Sequence, residues 1–248
     1  MKLRLDKRVV DQGLAASRTR AQQRISAGQI AVDGSIVTKA GFLVDTRQLI
    51  QAIEQDNPYV SRGGLKLAAA LDVWKIDVAG RTCLDIGIST GGFSDCMLQR
   101  GAASVVGVDT GHGQLAEKLR SDSRLLVLEH TNARHLTANM LPPGIGFLTV
   151  DVSFIAASLI LPAVLAAAFP SKAAGSLHEA VVLVKPQFEA GKEFVGKGGI
   201  VHSSAAHQRA IDRVTQTLGA QSALETRVMD SPIPGGDGNR EFLIYARF

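Results

Sequence analysis

The sequence predicts an α/β fold: a mostly parallel sheet of seven strands with an antiparallel edge, preceded by a small α+β unit. Three observations lead there. From residue 82 onward, short apolar runs alternate with helix-like segments, the pattern of a parallel sheet covered on both faces. Two strand-like runs close the chain with no helix between them, which predicts a hairpin at one edge. The first sixty residues differ in charge and layout from the rest of the chain. At 248 residues, 46% hydrophobic and 20% charged, the chain is long and apolar enough to bury a core. Disordered, collagen-like and disulfide-rich classes are excluded.

Residues 1–30 hold seven basic side chains against Asp6 and Asp11, a net +5, so the rest of this +4 chain sums to −1. The electrostatic footprint is therefore N-terminal. LRLDKRVVDQGL puts Leu3, Leu5, Val9, Val10 and Leu14 on one helical face, and Gly13 ends the helix. Ser17 is the expected N-cap of a second helix running to Gly28, on which Arg20 and Arg24 share a face. QIAVDGSIV reads as a hairpin turning at Asp33-Gly34. Taken alone, such arginines are a solvated helix face. The whole string, however, resembles the S-four-type RNA-binding domain, through Arg4-Leu5-Asp6, Ser17-Arg18 and Gly28 followed by Val32-Asp33-Gly34. The resemblance implies that Arg4, Lys7, Arg8, Arg18, Arg20 and Arg24 bind RNA, holding phosphates without reading sequence.

NPYVSR, residues 57–62, reads as a junction, so the expected domains are 1–60 and 61–248. Beyond it, TCLDIGI is a strand, GGFSDCMLQRG a helix, SVVGVD a strand, HGQLAEKLR a helix, and LLVLEH and IGFLTVDV strands. An apolar helix follows, then AVVLVKP as a strand, HQRAIDRVTQTLG as a helix, and ETRVMDSP and REFLIYARF as the closing strands. No charge occurs from Val152 to Pro170, about the length of a membrane span. Asp151 at its head, Pro162 interrupting it and the strand pattern before it predict a strand end and a buried helix instead. MKLRLDKRVVDQG has no signal-peptide layout, and Cys83 and Cys96 read as buried thiols, so a cytoplasmic protein with no stable membrane association is expected.

Asp85-Ile86-Gly87-Ile88-Ser89-Thr90-Gly91-Gly92, followed by Phe93, sits where the first strand of the sheet turns into a helix. Its glycines allow a tight turn and close approach of backbone to a ligand. Asp109 ends the next strand, where a carboxylate can accept hydrogen bonds from both hydroxyls of a ribose. The glycine spacing differs from the G-x-G-x-x-G of dinucleotide sites. An acidic residue two before the first glycine is the pattern of S-adenosylmethionine-dependent methyltransferases, which makes the expected sheet Rossmann-like. Asn132-Ala133 would lie at the adenine edge by analogy. Ile88 stands where a smaller residue is expected and could crowd the cofactor.

Methyl transfer to a ribose hydroxyl needs a group to take the proton, and a Lys does so near neutral pH only when burial or positive charge tunes it. Lys185 ends an apolar strand, and Asp151 ends the strand expected beside it, at the carboxyl edge where open α/β sheets bind ligands. Lys66 lies in SRGGLKL, and Glu241 opens the last strand. SRGGLKL, LDIGISTGGF, VDVSF, LVKPQFE and GNREF in this order resemble the TlyA/hemolysin A family, whose FtsJ-like domain methylates ribose 2′-hydroxyls of ribosomal RNA. The resemblance covers essentially the whole chain. It implies a catalytic tetrad of Lys66, Asp151, Lys185 and Glu241, S-adenosyl-L-methionine as cofactor, cytidine as target, and ribosomal RNA or ribosomal subunits as partner. Lys185 would act as base, Lys66 would orient the hydroxyl, and Asp151 and Glu241 would hold the lysines. Phe154 could stack on a base. His202 and His207 lack partners at ligand spacing, so no metal is expected.

Other readings remain at this point. A base-nitrogen methyltransferase would carry [DNS]-P-P-[YF] where this chain has Asp151-Val152-Ser153-Phe154. A membrane-acting hemolysin has only the apolar segment behind it, and a non-enzymatic RNA- or ribosome-binding factor could keep the same fold. A monomer is the default expectation.

Overall fold

The computed structural model describes residues 2–26, 28–53, 57–170 and 177–248. The chain divides into two compact units, one of residues 1–58 with 234–238 and one of residues 59–233 with 239–248.

In the first unit, β1 (Lys2–Arg4) leads directly into α1 (Leu5–Asp11), and α2 spans Arg18–Ser26. Leu3 therefore belongs to a strand rather than to the helical face expected for it. Gly13, at φ +70°, follows the end of α1 as expected. Ser17 Oγ accepts the Arg20 N–H at 3.2 Å, the cap the sequence calls for. The second helix, expected to reach Gly28, is seen to Ser26, and residue 27 lies outside the described residues. β2 (Ile30–Val32) and β3 (Ser35–Ile36) form the hairpin, with Asp33 and Gly34 both at positive φ in its turn. β4 (Leu43–Asp45) pairs antiparallel with β1, and β5 (Ile50–Ala52) with β2. Leu5, Val9, Ala21, Ile25, Ile30, Val44 and Ile50 are buried together as the unit's own core.

In the second unit, α3 (Gly63–Trp74) precedes β6 (Thr82–Ile86), α4 (Gly92–Gln99), β7 (Ser104–Val108), the single turn α5 (Glu117–Arg120) and β8 (Leu125–Leu128). The helix read from HGQLAEKLR is only that one turn. Gly111 and Gly113 lie in the loop ahead of it, where Asp109 and Glu129 side chains accept their N–H groups. Next come β9 (Ile145–Val150), α6 (Ala157–Ala168), β10 (Glu179–Val184), α7 (Pro186–Glu189), α8 (Ser204–Ala220), β11 (Glu225–Asp230) and β12 (Phe242–Arg247). The sheet order is β11-β12-β10-β9-β6-β7-β8, with β12 antiparallel to both its neighbours and the other pairs parallel. This is the expected seven-stranded sheet with its closing hairpin at one edge.

Side chains alternate across the sheet, as strand geometry requires. Leu84, Val106, Leu148 and Val182 pack toward α6 and α8, while Cys83, Val105, Phe147 and Val181 pack toward α3 and α4. Both cysteines are buried, and burial pushes Cys83 up to about 12 and Cys96 up to about 11. The charge-free segment is explained by α6, which buries Ile160, Leu161, Val164 and Leu165. Pro162 does not interrupt it; the helix runs through that residue. Its 12 residues span roughly 18 Å, well short of a bilayer core. Among the described residues, no helix is long and apolar enough to cross a membrane.

Candidate active site

Strand order places β6 where the connections reverse, with β7 and β8 to one side and β9 and β10 to the other. A crevice opens beyond the strand ends at such a point. The loops after β6, β7 and β9 meet there around a cavity of about 890 Å³. Ile86, Gly87, Ser89, Asp109, Asn132, Ala133, Asp151 and Ser153 are among its lining residues.

Gly87 has φ +85°, and a Cβ there would stand 2.2 Å from the Asp151 carbonyl oxygen, so only glycine lets the two loops meet. Asp109 organises the next part. Its Oδ2 accepts the Ser89 N–H at 2.9 Å and its Oδ1 the Gly111 N–H at 2.7 Å. Each carboxylate oxygen can accept a second hydrogen bond, so one side chain can fix both loops and still receive two ligand hydroxyls. Ser89 Oγ donates to Gln114 Oε1 at 3.1 Å, closing the rim. Asn132 Oδ1 caps the turn at Ala133–His135 by accepting the Arg134 N–H. The acceptor oxygens of Asp109, beside this polar rim, fit an adenosyl group with a ribose diol.

Not every residue expected to bind the cofactor lines this cavity. Asp85 lies behind it, 1% exposed, accepting hydrogen bonds from Ser94 Oγ at 2.6 Å and Thr149 Oγ1 at 2.8 Å. Burial, with Asp151 adding to it, pushes its carboxyl up to about 6 against the pull of the two hydroxyls. Thr90, Gly91, Gly92 and Phe93 are not in the lining, and Phe93 packs in the core with Leu67 and Met97. Ile88 is buried too, and Gly107 on β7 leaves it room: a Cβ there would stand 2.3 Å from Ile88 Cδ1. The crowding expected of Ile88 does not arise, because its side chain is turned into the sheet.

The four residues of the expected tetrad gather along the carboxyl edge of β9, β10 and the start of β12. Val184 pairs with Phe242, which sets Lys185 beside Glu241, and β9 pairs in parallel with β10, which sets Asp151 on the other side. They form two ion pairs. Lys66 Nζ lies 2.5 Å from Glu241 Oε2, with the two residues 7% and 3% exposed. Lys185 Nζ lies 2.6 Å from Asp151 Oδ1 and donates to Ser153 Oγ at 2.9 Å. Arg62, at the start of α3, is half-buried and lies within the field of Glu241. Of the four, only Asp151 lines the cavity.

Sequence reasoning missed Ser153, Gln114, Arg134, Gln187 and Phe188, which all line the cavity. The hydroxyl two residues after Asp151 was the one available signal. Phe154 also lines it, 94% exposed and at φ +66°, a left-handed conformation that is costly for a bulky residue. Its ring centroid is 5.8 Å from that of Phe188. Among the described residues no group of His, Cys, Asp and Glu could hold a metal.

The basic residues of the first unit divide. Asp6 is fully buried and holds Arg4 at 3.0 Å and Arg18 at 2.9 Å. Arg4, with Gln22 and Arg18 helping, keeps the Asp6 carboxyl well below the usual carboxylate range. Arg24 donates to the Leu14 carbonyl, so it does not share a free face with Arg20. The Arg8 Nε is buried without a hydrogen-bond partner among the described residues. Lys7 and Arg20 are exposed. Part of the expected RNA-binding set therefore also holds the unit together.

Residues 59–248 match the FtsJ-like methyltransferase family, and residues 3–50 match the S4 domain. The chain is 44% identical to the 16S/23S rRNA (cytidine-2′-O)-methyltransferase TlyA of Mycobacterium tuberculosis, over 98% of this chain and 89% of that protein. It is 37% identical to Hemolysin A of Brachyspira hyodysenteriae, over 98% and 99%. A solved structure of a candidate hemolysin from Streptococcus thermophilus superposes with a TM-score of 0.73 at 39% identity, over 99% of this chain and 88% of that one. A full-length match at such identity, on a sheet whose carboxyl edge carries the two ion pairs, places the chain in the TlyA/hemolysin A family of FtsJ-like methyltransferases with an S4 domain.

Proposed function

We propose that this protein is an S-adenosylmethionine-dependent methyltransferase of ribosomal RNA that modifies a ribose 2′-hydroxyl, that of cytidine, with residues 1–60 binding RNA and residues 61–248 carrying the reaction. The observation that carries the reading is the Lys185–Asp151 pair, 2.6 Å apart, at the edge of a cavity that also holds Asp109. One end offers groups for an adenosyl ribose and the other a base for a hydroxyl. The Mycobacterium tuberculosis relative, by its name, acts on cytidine 2′-oxygens of 16S and 23S rRNA, which supports the same substrate for this chain. Asp151-Val152-Ser153-Phe154 lacks the two prolines of base-nitrogen methyltransferases.

S-adenosylmethionine supplies an electrophilic methyl group, whose bond to sulfur breaks, sulfur keeping the electron pair, as the ribose oxygen bonds to carbon. Gly87, Ser89, Asp109, Asn132 and Ala133 would hold it. Lys185 takes the hydroxyl proton. Asp151 holds Lys185 in place. Lys66, tied to Glu241, orients the hydroxyl and adds positive charge. Phe154 offers its exposed face to a base. Lys7, Arg20 and the outer edges of Arg4 and Arg18 meet phosphates. The protein works in the cytoplasm as a monomer, on ribosomal RNA or ribosomal subunits, and a liposome-leakage assay of the purified protein is expected to show no leakage.

The test is a map of alkali-resistant positions in ribosomal RNA from cells with and without the protein. One additional 2′-O-methyl at a cytidine is expected with it. RNA binding with an unchanged map would favour the non-enzymatic alternative.

A further inference from the structure

We propose that Ser153 is a positioning residue that fixes the direction of the Lys185 amine, an inference that rests on Lys185 as the proton acceptor. Two groups meet Lys185 Nζ, and they act differently. Asp151 Oδ1 is 2.6 Å away, yet that buried oxygen has no hydrogen-bond partner among the described residues. The contact is an ion pair by distance, made outside hydrogen-bonding angles. Ser153 Oγ, at 2.9 Å, accepts a hydrogen bond from the same nitrogen.

The chemistry of a primary amine makes the difference matter. Attraction between charges has less directional preference than a hydrogen bond, so Asp151 alone holds the amine loosely about Cε–Nζ. A hydrogen bond is directional and stops the turning. When Lys185 is ready to accept a proton, its nitrogen carries two N–H bonds and one lone pair. With one N–H held on Ser153 Oγ, the lone pair has two positions left. The one nearer Asp151 is disfavoured, because the negative charge of a carboxylate repels a lone pair. The lone pair is left with the remaining position, where it receives the hydroxyl proton as the oxygen bonds to the methyl carbon. Without Ser153 the lone pair is spread over rotamers, and orientation of this kind strongly affects rate. Ser153 and Asp151 both line the cavity, and they share the loop after β9, so one segment sets both contacts.

The experiment compares the full chain with Ser153→Ala, Ser153→Thr and Lys185→Ala in steady-state methylation of ribosomal RNA, together with cofactor binding by calorimetry. Ser153 is exposed, so its variants fold. Ser153→Ala is expected to lower kcat 10- to 100-fold, with KM for RNA and the cofactor affinity within about twofold of the parent. Ser153→Thr keeps the acceptor oxygen and retains most of the rate. If Ser153→Ala keeps its kcat while Lys185→Ala abolishes transfer, the positioning role is overturned and the reading of Lys185 stands. A change confined to KM, or no rescue by Thr, also overturns it. If Lys185→Ala keeps its activity, the reading of Lys185 fails, and the role of Ser153 with it.

Discussion

Lys66 Nζ stands 2.5 Å from Glu241 Oε2, joining the helix ahead of the sheet to the residue that opens its last strand. Both partners are buried, so each is there on condition of the other. Glu241→Ala leaves an unpaired ammonium and is expected to cost about 3–5 kcal/mol. A Lys66→Met/Glu241→Leu double variant removes both charges and recovers most of that loss, but not methyl transfer. Urea denaturation beside activity assays of the three proteins checks this.

Asp85 predicts a pH effect of unusual sign for a carboxylate. Its folded value, about 6, lies above the ordinary 3.8, so the folded protein binds that proton more tightly than the unfolded chain. The stability this group contributes is fully present below about pH 4 and is lost as pH rises to about 6, with no further change above. Asp85→Asn is therefore expected to be more stable than the parent at pH 8, by on the order of 3 kcal/mol. The gap closes on acidification from pH 6 to 4. Denaturant midpoints at pH 4, 6 and 8 measure it.

Asp109 is expected to dominate cofactor affinity. Asp109→Ala removes acceptors for two hydroxyls and releases the Ser89 and Gly111 amides. Hydrogen bonds to a charged group contribute about 1.5–3 kcal/mol each, so a loss of roughly 100-fold or more in S-adenosylmethionine affinity should appear by calorimetry.

In the first unit, exposed and tethered cations should respond differently. Arg20→Ala is expected to weaken RNA binding evenly across sequences and to reduce the slope of log K against log salt by about 1. Asp6→Ala should unfold the unit more readily, because Arg4 and Arg18 lose their common buried partner. Binding titrations at several salt concentrations and thermal melts separate the two effects.

The sheet was legible because β6, β7, β9 and β10 are buried on both faces and read as apolar runs. Lys185 and Asp151 could be set side by side because parallel strands end together at one edge. The helix read from HGQLAEKLR shrank to one turn because Asp109 and Glu129 draw the preceding backbone into a loop, a long-range pull that periodicity does not carry. Ile88 is misread from sequence for a similar reason. The space it fills is provided by Gly107 on the adjacent strand. Nor does charge counting reveal a tether such as Asp6. Arg4 and Arg20 look alike in a tally, yet one is held by a buried carboxylate and the other faces solvent.

The central claim is that Lys185 takes the proton from a ribose hydroxyl of ribosomal RNA. Ribosomal subunits incubated with methyl-labelled S-adenosylmethionine and digested with alkali test it most directly. With the parent protein the label should be recovered in an alkali-resistant dinucleotide, and with Lys185→Ala none should be incorporated. Label released in base-methylated mononucleotides, or undiminished incorporation by Lys185→Ala, would contradict it.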